Sequence, residues 1–408
     1  MSTSSSADVI ILGGGLVGAT LALALARHGV TTAVVDPADP AVTLAPGFDG
    51  RASAIASASG RMFEAIGLAE RLAGRGCPIE SIRVSDGLRP GRLDFTPDGD
   101  DGALGVMYEN RALRRALHAA VEGAEGVSLR MRTRAVAVER GAHGVVAALS
   151  DGTEVRAPLL VAAEGRNSPT REAAGIAVAR WRYDHAAIIG AFHHERPHGR
   201  VAYEIFYPSG PFALLPLVDD EAGHRSAIVW TVAGADAAGM LKLSDRAFLA
   251  EAKKRMGGFL GRLYGASPRA SYPLGFHHAA RITAERLALV GDAGHGVHPI
   301  AGQGLNLGLR DVAALTEVLV EGKRVGLDLG DAALLDRYQR WRALDTFAIA
   351  FATDGLARLF GVPGRAASAI RRAGISAVNG IEPLKRAFMA EARGESGDLP
   401  RLLTGAMV

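Results

Sequence analysis

The first forty residues alternate apolar runs with glycine in a fixed order. Asp8 to Leu12 reads as a short buried strand, Gly13 to Gly18 as a tight turn, Ala19 to His28 as a helix and Thr31 to Asp36 as a second strand. Strand, helix and strand in that order open a βαβ unit. Helical patterns follow at Ser57 to Leu68 and Arg111 to Val121, then strands over Val127 to Glu139 and Gly144 to Leu149. The dipeptide Asp151-Gly152 turns the last of these back on Glu154 to Arg156 as a hairpin. From about Gly175 to Pro273 the period falls to two, in stretches such as Val201 to Tyr207, Phe212 to Val218 and Arg225 to Val232, which is the signature of an antiparallel sheet. A buried-strand run returns at Arg286 to Val290, followed by a glycine-rich loop and a long helix from about Leu305 to Glu321. Beyond Leu334 the pattern is helical to the end, with breaks at Gly361 to Gly364 and at Pro383.

The glycines between the first strand and helix carry chemistry. Gly13, Gly15 and Gly18 form GxGxxG, in which one glycine makes the turn, one lets the backbone approach a pyrophosphate and one lets the helix pack on the strand. Leu16, within the turn, is expected at the cofactor with them, and the N-terminus of the helix offers free N–H groups to phosphates. Asp36 ends the second strand 18 residues past Gly18, where a carboxylate would accept hydrogen bonds from an adenosine ribose. Alone, such a loop could be merely structural. With strand, helix and terminal acid in place it points to a dinucleotide, without saying which.

A second glycine-rich segment narrows the choice. Leu287 to Val290 is a buried strand ending in Gly291-Asp292, and His298-Pro299 leads through Gly302, Gln303, Gly304, Leu305 and Asn306 into the long helix. Asp292 can accept from ribityl hydroxyls, and a helix N-terminus near Gly304 to Leu307 would stabilise negative charge on a reduced isoalloxazine. A plain glycine turn with an N-cap is the competing reading. FAD is the dinucleotide long enough to touch both segments.

The expected fold class is therefore α/β with an α+β insert. A Rossmann-like FAD-binding domain occupies residues 1–174 and 275–345, interrupted by an antiparallel-sheet substrate domain over 175–274 and followed by a helical region over 346–408. Composition agrees: of 408 residues 48% are hydrophobic and 22% charged, as in a globular protein. The single cysteine, Cys77, forms no internal disulfide, the start has neither basic nor apolar signal-peptide character, and no apolar run reaches the roughly 20 residues that span a bilayer. The expected compartment is the cytoplasm. With a net charge of +3 and dispersed basic residues, no nucleic-acid partner is expected. His295 and His298 are spaced like metal ligands but lack the carboxylate or cysteine partners of a known motif, so no metal is assigned. His193-His194 and His277-His278 read as surface or loop residues.

The run Gly291-Asp292-Ala293-Gly294-His295, His298-Pro299, Gly302 to Gly308 and Asp311 resembles the signature of the FAD-dependent aromatic hydroxylases of the p-hydroxybenzoate hydroxylase fold, within them the ubiquinone-biosynthesis branch UbiH, UbiF and VisC. The resemblance covers roughly residues 7 to 345. It implies that Gly13, Gly15, Gly18 and Asp36 hold the ADP half of FAD, that Arg51 reaches toward the cofactor and that Arg111 lies near its phosphates. One departure is Glu164 in Ala163-Glu164-Gly165-Arg166, where the family usually has Asp-Gly. The resemblance further implies a surface-docked NAD(P)H, dioxygen as co-substrate, delivery of oxygen from a flavin hydroperoxide, and a polyprenylated phenol as the ring hydroxylated. The protein must then exclude water and orient the ring, so no general acid or base is assigned.

Tyr203, Phe206, Phe212, Leu214, Pro216 and Trp230 are expected to form an apolar face over the flavin, with His298 and Pro299 bordering the reacting side; core packing is the competing reading. In the tail, Phe347, Ile349, Phe351, Leu356, Leu359 and Phe360, followed by Arg358, Arg365, Arg371, Arg372, Lys385 and Arg386, suggest contact with the inner membrane surface or with a ubiquinone-biosynthesis complex, against a plain helical packing surface. Two other readings stand: a flavin enzyme acting on a soluble aromatic or prenyl substrate, and a non-catalytic FAD-binding scaffold.

Overall fold

A computed structural model describes residues 4–88, 92–97, 102–297, 302–361, 371, 374, 378 and 380–408. His298 and Pro299 lie outside the described residues, as do Arg365 and Arg372.

The first strand and helix form where the apolar run and glycines place them, as Val9–Leu12 and Leu16–Ala26. The helix LVGATLALALA is apolar all round, which fits only an element covered on every side. It packs on a six-stranded sheet of order Thr283–Ala284, Leu287–Leu289, Leu159–Ala162, Val9–Leu12, Thr32–Asp36 and Val127–Met131. All neighbours but the first pair are parallel. Parallel strands are covered on both faces, so they read as unbroken apolar runs: Val9, Ile10, Ile11, Leu159, Leu160, Val161 and Leu287 to Leu289 are all buried. Each large aliphatic among them contributes about 1.5–3 kcal/mol by leaving water.

The long helix, Gln303–Arg324, also packs on the first helix and supplies Leu309, Val312, Leu315 and Val318 to the same core. In the sheet, chain order reverses around Val9–Leu12: Thr32–Asp36 and Val127–Met131 lie to one side, and Leu159–Ala162, Leu287–Leu289 and Thr283–Ala284 to the other. Ligands of open α/β sheets bind at such a switch point, beyond the carboxyl ends of the strands. Here those ends lead into Gly13, Ala163 and Gly291.

A nine-stranded, almost wholly antiparallel sheet stands beside this layer. Its central strands are Ala270–Ala279, Val178–His194, His224–Ala233, Gly210–Pro216 and Val201–Tyr207. Two upstream strands, Ser81–Asp86 and Arg92–Phe95, extend it; Ser81–Asp86 pairs in parallel with Val201–Tyr207. Helix Asp245–Met256, capped by Ser244 Oγ accepting from Ala247 N at 3.3 Å, covers the back of the sheet with Phe248, Leu249, Ala252 and Met256. A three-stranded sheet of Ala52–Ala56, Gly105–Glu109 and Gly76–Ile79 lies at the junction. Beyond residue 331 come the helices Ala332–Gly361, Glu382–Ala392 and Arg401–Thr404. Among the described residues no helix is long and apolar enough to cross a membrane.

Candidate active site

A cavity of about 2400 Å³ begins at the switch point and runs to the front of the nine-stranded sheet. Pockets for a single small molecule span roughly 300–1,000 Å³, so this one has room for a dinucleotide and a second ligand. At its sheet end Gly13, Gly15, Leu16, Asp36, Glu164 and Asp292 come together.

The three glycines occupy three different environments. Gly13 has φ +103°, and a Cβ there would lie 2.4 Å from the carbonyl oxygen of Ala163. A Cβ on Gly18 would lie 1.9 Å from the carbonyl oxygen of Gly13, so the helix can sit this close to the turn only without one. A Cβ on Gly15 would meet nothing within 4 Å; it would project into the cavity where a pyrophosphate would approach. Asp36 Oδ2 accepts from Gly14 N at 2.5 Å and Oδ1 from Ala38 N at 2.7 Å, which fixes the carboxylate at the cavity edge. A dinucleotide therefore fits this cradle.

At the second segment Asp292 is open to the cavity but deep within the protein. That burial raises its carboxyl above the ordinary carboxylate range, against the pull of His295 and Arg166. Gly302, at φ +64°, turns the chain into the long helix, and Gly302, Gly304 and Leu305 line the cavity, again with open space where a Cβ on Gly304 would stand. Asn306 does not face the cavity. Its amide bridges the helix to strand Ala52–Ala56, donating to Ala54 O at 2.9 Å and accepting from Ala56 N at 3.0 Å, so it positions the helix end instead of touching the ligand.

Arg51 lines the cavity; Arg111 does not. Helix Asn110–Glu122 buries Leu113, Ala116 and Leu117, and that packing turns Asn110 and Arg114 to the large cavity and Arg111 to a smaller one of about 450 Å³. Arg111 donates to Pro46 O at 3.0 Å, while Arg114 pairs with Asp49 at 2.8 Å. Glu164, despite its extra methylene, keeps the turn: its Oε2 accepts from Ser168 Oγ at 2.6 Å and Thr170 N at 3.2 Å.

The substrate-side expectation needs a correction of face. Tyr203 and Phe206 line the cavity, but Phe212, Leu214 and Trp230 are buried on the back of the sheet against helix Asp245–Met256, and Pro216 is buried away from the hollow. Tyr203 turns its ring to that back side as well, 4.6 Å from Phe259. Strands present alternate residues to opposite faces, and the large residues fill the back. Ala202, Glu204, Ala213, Leu215 and Ala227 stand at the front, where the small size of the three alanines leaves the hollow. Ile82, Val84, Leu93 and Phe95 add an apolar wall from the two upstream strands, and Phe388 closes in from the C-terminal region.

Several buried polar residues to which the sequence assigned no role hold the site together. Asp311 is fully buried; its Oδ2 accepts from Gly291 N at 2.9 Å and pairs with His295 Nε2 at 2.6 Å, and its Oδ1 pairs with Arg342 at 2.7 Å. Burial opposes ionisation there, but the interactions with His295 and Arg342 and their hydrogen bonds outweigh it and keep the carboxyl below the ordinary range. Arg171, also fully buried, donates to the carbonyl oxygens of Arg166 and Ala293 at 3.0 Å each and so ties the Glu164 turn to the Asp292 loop. The histidine pairs lie on strands, and His194 and His277 are buried in place of the surface positions expected. Burial holds His277 neutral, down to about 4, while its Nε2 donates to Asp292 O at 2.7 Å. Asp311 stood in the sequence at the end of the resembled signature with no role assigned, and nothing in the short polar stretch PTREA marks Arg171 as buried.

Comparison with known proteins agrees with this geometry. The family described as "FAD binding domain" matches residues 6–349. A ubiquinone hydroxylase, UbiL, of Rhodospirillum rubrum is 46% identical over 407 residues, covering 99% of this chain and 94% of its own. The 3-demethoxyubiquinol 3-hydroxylase of Escherichia coli is 34% identical over 356 residues, covering 86% and 89%. Among solved structures, PqsL of Pseudomonas aeruginosa, described as a probable FAD-dependent monooxygenase, superposes with a TM-score of 0.75 at 26% identity, covering 91% of this chain and 99% of that one. The chain belongs to the FAD-binding-domain family of flavoprotein monooxygenases.

Proposed function

We propose that the protein hydroxylates the aromatic ring of a polyprenylated phenol in ubiquinone biosynthesis, with FAD as cofactor, NAD(P)H as reductant and dioxygen as oxidant. The observation that carries this reading is one continuous cavity joining a dinucleotide cradle to an apolar hollow. Bound FAD, once reduced, supplies the chemistry that activates dioxygen. The chain's own residues do the rest. Gly15 and the N–H groups at the start of helix Leu16–Ala26 receive the phosphates, Asp36 the adenosine ribose and Asp292 the ribityl chain. The N-terminus of helix Gln303–Arg324 would turn its positive end to the negative charge of the reduced ring. Ile82, Val84, Leu93 and Phe95 exclude water from the ring to be hydroxylated. Deleting the gene in its host and analysing quinone lipids by mass spectrometry tests the reading. Accumulation of a prenylated ring short of one hydroxyl is expected; a normal quinone pool, with NAD(P)H oxidation stimulated by soluble phenols, would replace it with the soluble-aromatic reading.

A lipid-borne substrate also needs a route from the bilayer. Helix Glu382–Ala392 and its cap expose Ile381, Leu384 and Phe388 at 50%, 38% and 42%, next to Lys385 and Arg386, and Phe388 lines the cavity as well. An apolar stripe flanked by cations suits an anionic membrane surface. Replacing the three apolar residues with serine should abolish flotation with anionic liposomes. Unchanged flotation would exclude this helix as the contact.

A further inference from the structure

In the front wall of the hollow one side chain differs in kind from its neighbours. Glu204 sits between Ala202 and Phe206 on strand Val201–Tyr207, opposite Ala213 on one side and Val84 on the other. All five residues line the cavity. The alternation of the strand gives the reason: Tyr203 and Ile205 point to the back, so Glu204 points forward with Ala202 and Phe206.

No hydrogen bond or ion pair engages its carboxyl among the described residues. The charged groups of the neighbouring elements are committed elsewhere. Arg83 pairs with Asp94 at 2.9 Å beside the ring of Tyr203, Arg92 pairs with the same Asp94 at 3.0 Å, and Asp86 pairs with Arg371 at 3.3 Å. Strand Gly210–Pro216 contributes no titratable group. Helix Ala332–Gly361 packs on this strand and on Val201–Tyr207, and of its charged groups at the cavity Asp345 pairs with Arg310 and Arg342, while Arg340 is not bonded to Glu204. Tyr272, Glu391 and Asp398 also line the cavity, none bonded to Glu204. Burial alone pushes the carboxyl up to about 8. A partnerless carboxyl in an apolar wall costs stability, and such a group points to a ligand that satisfies it.

We infer that Glu204 is a catalytic residue of the hydroxylation: its carboxylate accepts the hydrogen bond of the substrate's phenolic hydroxyl and takes its proton as the ring is attacked. The inference rests on the phenol reading above. The phenolic O–H bond breaks and a carboxyl O–H bond forms on Glu204, while the charge passes to the ring oxygen and raises electron density at the ortho and para carbons. The ring's electron pair then forms the new C–O bond as the O–O bond of the dioxygen activated by the reduced cofactor breaks, its electron pair going to the departing oxygen, which ends as water. The attacked carbon loses its hydrogen as a proton to that departing oxygen, aromaticity returns, and Glu204 gives its proton back to the ring oxygen. A carboxyl near 8 is closer to a phenol than an ordinary carboxylate is, which makes it the more effective base.

The test compares 2-geranylphenol with its methyl ether, both titrated into the FAD-loaded enzyme and followed by the perturbation of the flavin spectrum. Only the phenol has a proton to donate. Its Kd should fall about tenfold from pH 6.5 to 9, as the charge-assisted hydrogen bond becomes available, while that of the ether should not fall. In Glu204→Gln the phenol's pH preference should vanish, together with the ascending limb near pH 8 in kcat/KM. Equal pH dependence for phenol and ether in the wild type would overturn the inference, whatever the variant does. Failure of either compound to bind at any pH would overturn the phenol reading and the inference with it.

Discussion

Gly15 and Gly18 separate ligand space from packing space within four residues, and the separation can be measured. A Cβ on Gly18 would stand 1.9 Å from the carbonyl oxygen of Gly13. Gly18→Ala must therefore push the helix from the turn by roughly an ångström or more, an overpacking that costs about 1–3 kcal/mol. In a chain of this length each kcal/mol lowers the melting temperature by about 1 °C, so the apoprotein should melt a few degrees early. Gly15 has φ −68°, which any residue adopts, and no atom within 4 Å of its Cβ position. Gly15→Val should then fold as well as the wild type apart from its weaker N-cap, worth about 1 kcal/mol at most. Its branched side chain fills the place where the pyrophosphate approaches. FAD at a hundred times its Kd stabilises a protein by about 2.7 kcal/mol, and the variant should lose that increment. The assay is thermal melting of each apoprotein alone and with excess FAD. Gly15→Val should melt within about 1 °C of wild-type apoprotein and show no FAD-dependent rise. A full wild-type rise in Gly15→Val would refute the placement of the phosphates against Gly15.

Three further perturbations probe the second segment and the hollow. Because burial holds His277 neutral down to about 4 while an unfolded histidine takes its proton near 6.5, folding releases a proton between those values and stability must fall as pH drops through them, by about 3 kcal/mol in all. His277→Gln retains a donor for Asp292 O and should flatten this acid limb in urea titrations between pH 7 and 4.5; parallel limbs in both proteins would contradict the assignment. Asn306→Ala strands Ala54 O and Ala56 N in a buried junction and should cost about 2–4 kcal/mol in urea unfolding, with FAD affinity reduced through the displaced helix end. Ala213→Phe should raise the KM for a prenylated phenol at least tenfold with FAD content intact, since it fills the front wall of the cavity and leaves the cradle untouched.

The cofactor half of the molecule was legible because its physics is local. An apolar strand, glycines at fixed offsets and an acid at the next strand end are constraints that a short segment satisfies by itself, and Gly13, Gly15, Gly18, Asp36 and Asp292 all stand at the cavity or form its turn. The substrate half depends on which face of a sheet meets a helix, and period two alone cannot decide that. Phe212, Leu214 and Trp230 suggest a ligand surface by their size, yet size is what a packed back face needs, and helix Asp245–Met256 covers them. The hollow is marked by the other parity: Ala202, Ala213 and Ala227, small residues on neighbouring strands that meet only after pairing. Arg111 and Arg114 show the same limit on a helix. Three residues apart, they are separated by the burial of Leu113 and Leu117, and only the finished packing says which one sees the cavity. Glu204 was readable in principle. An acid flanked by Tyr203 and Ile205 inside a strand of period two must either face solvent or pay for its burial, and in a sheet covered behind by a helix and in front by a cavity it faces the place where a ligand can satisfy it.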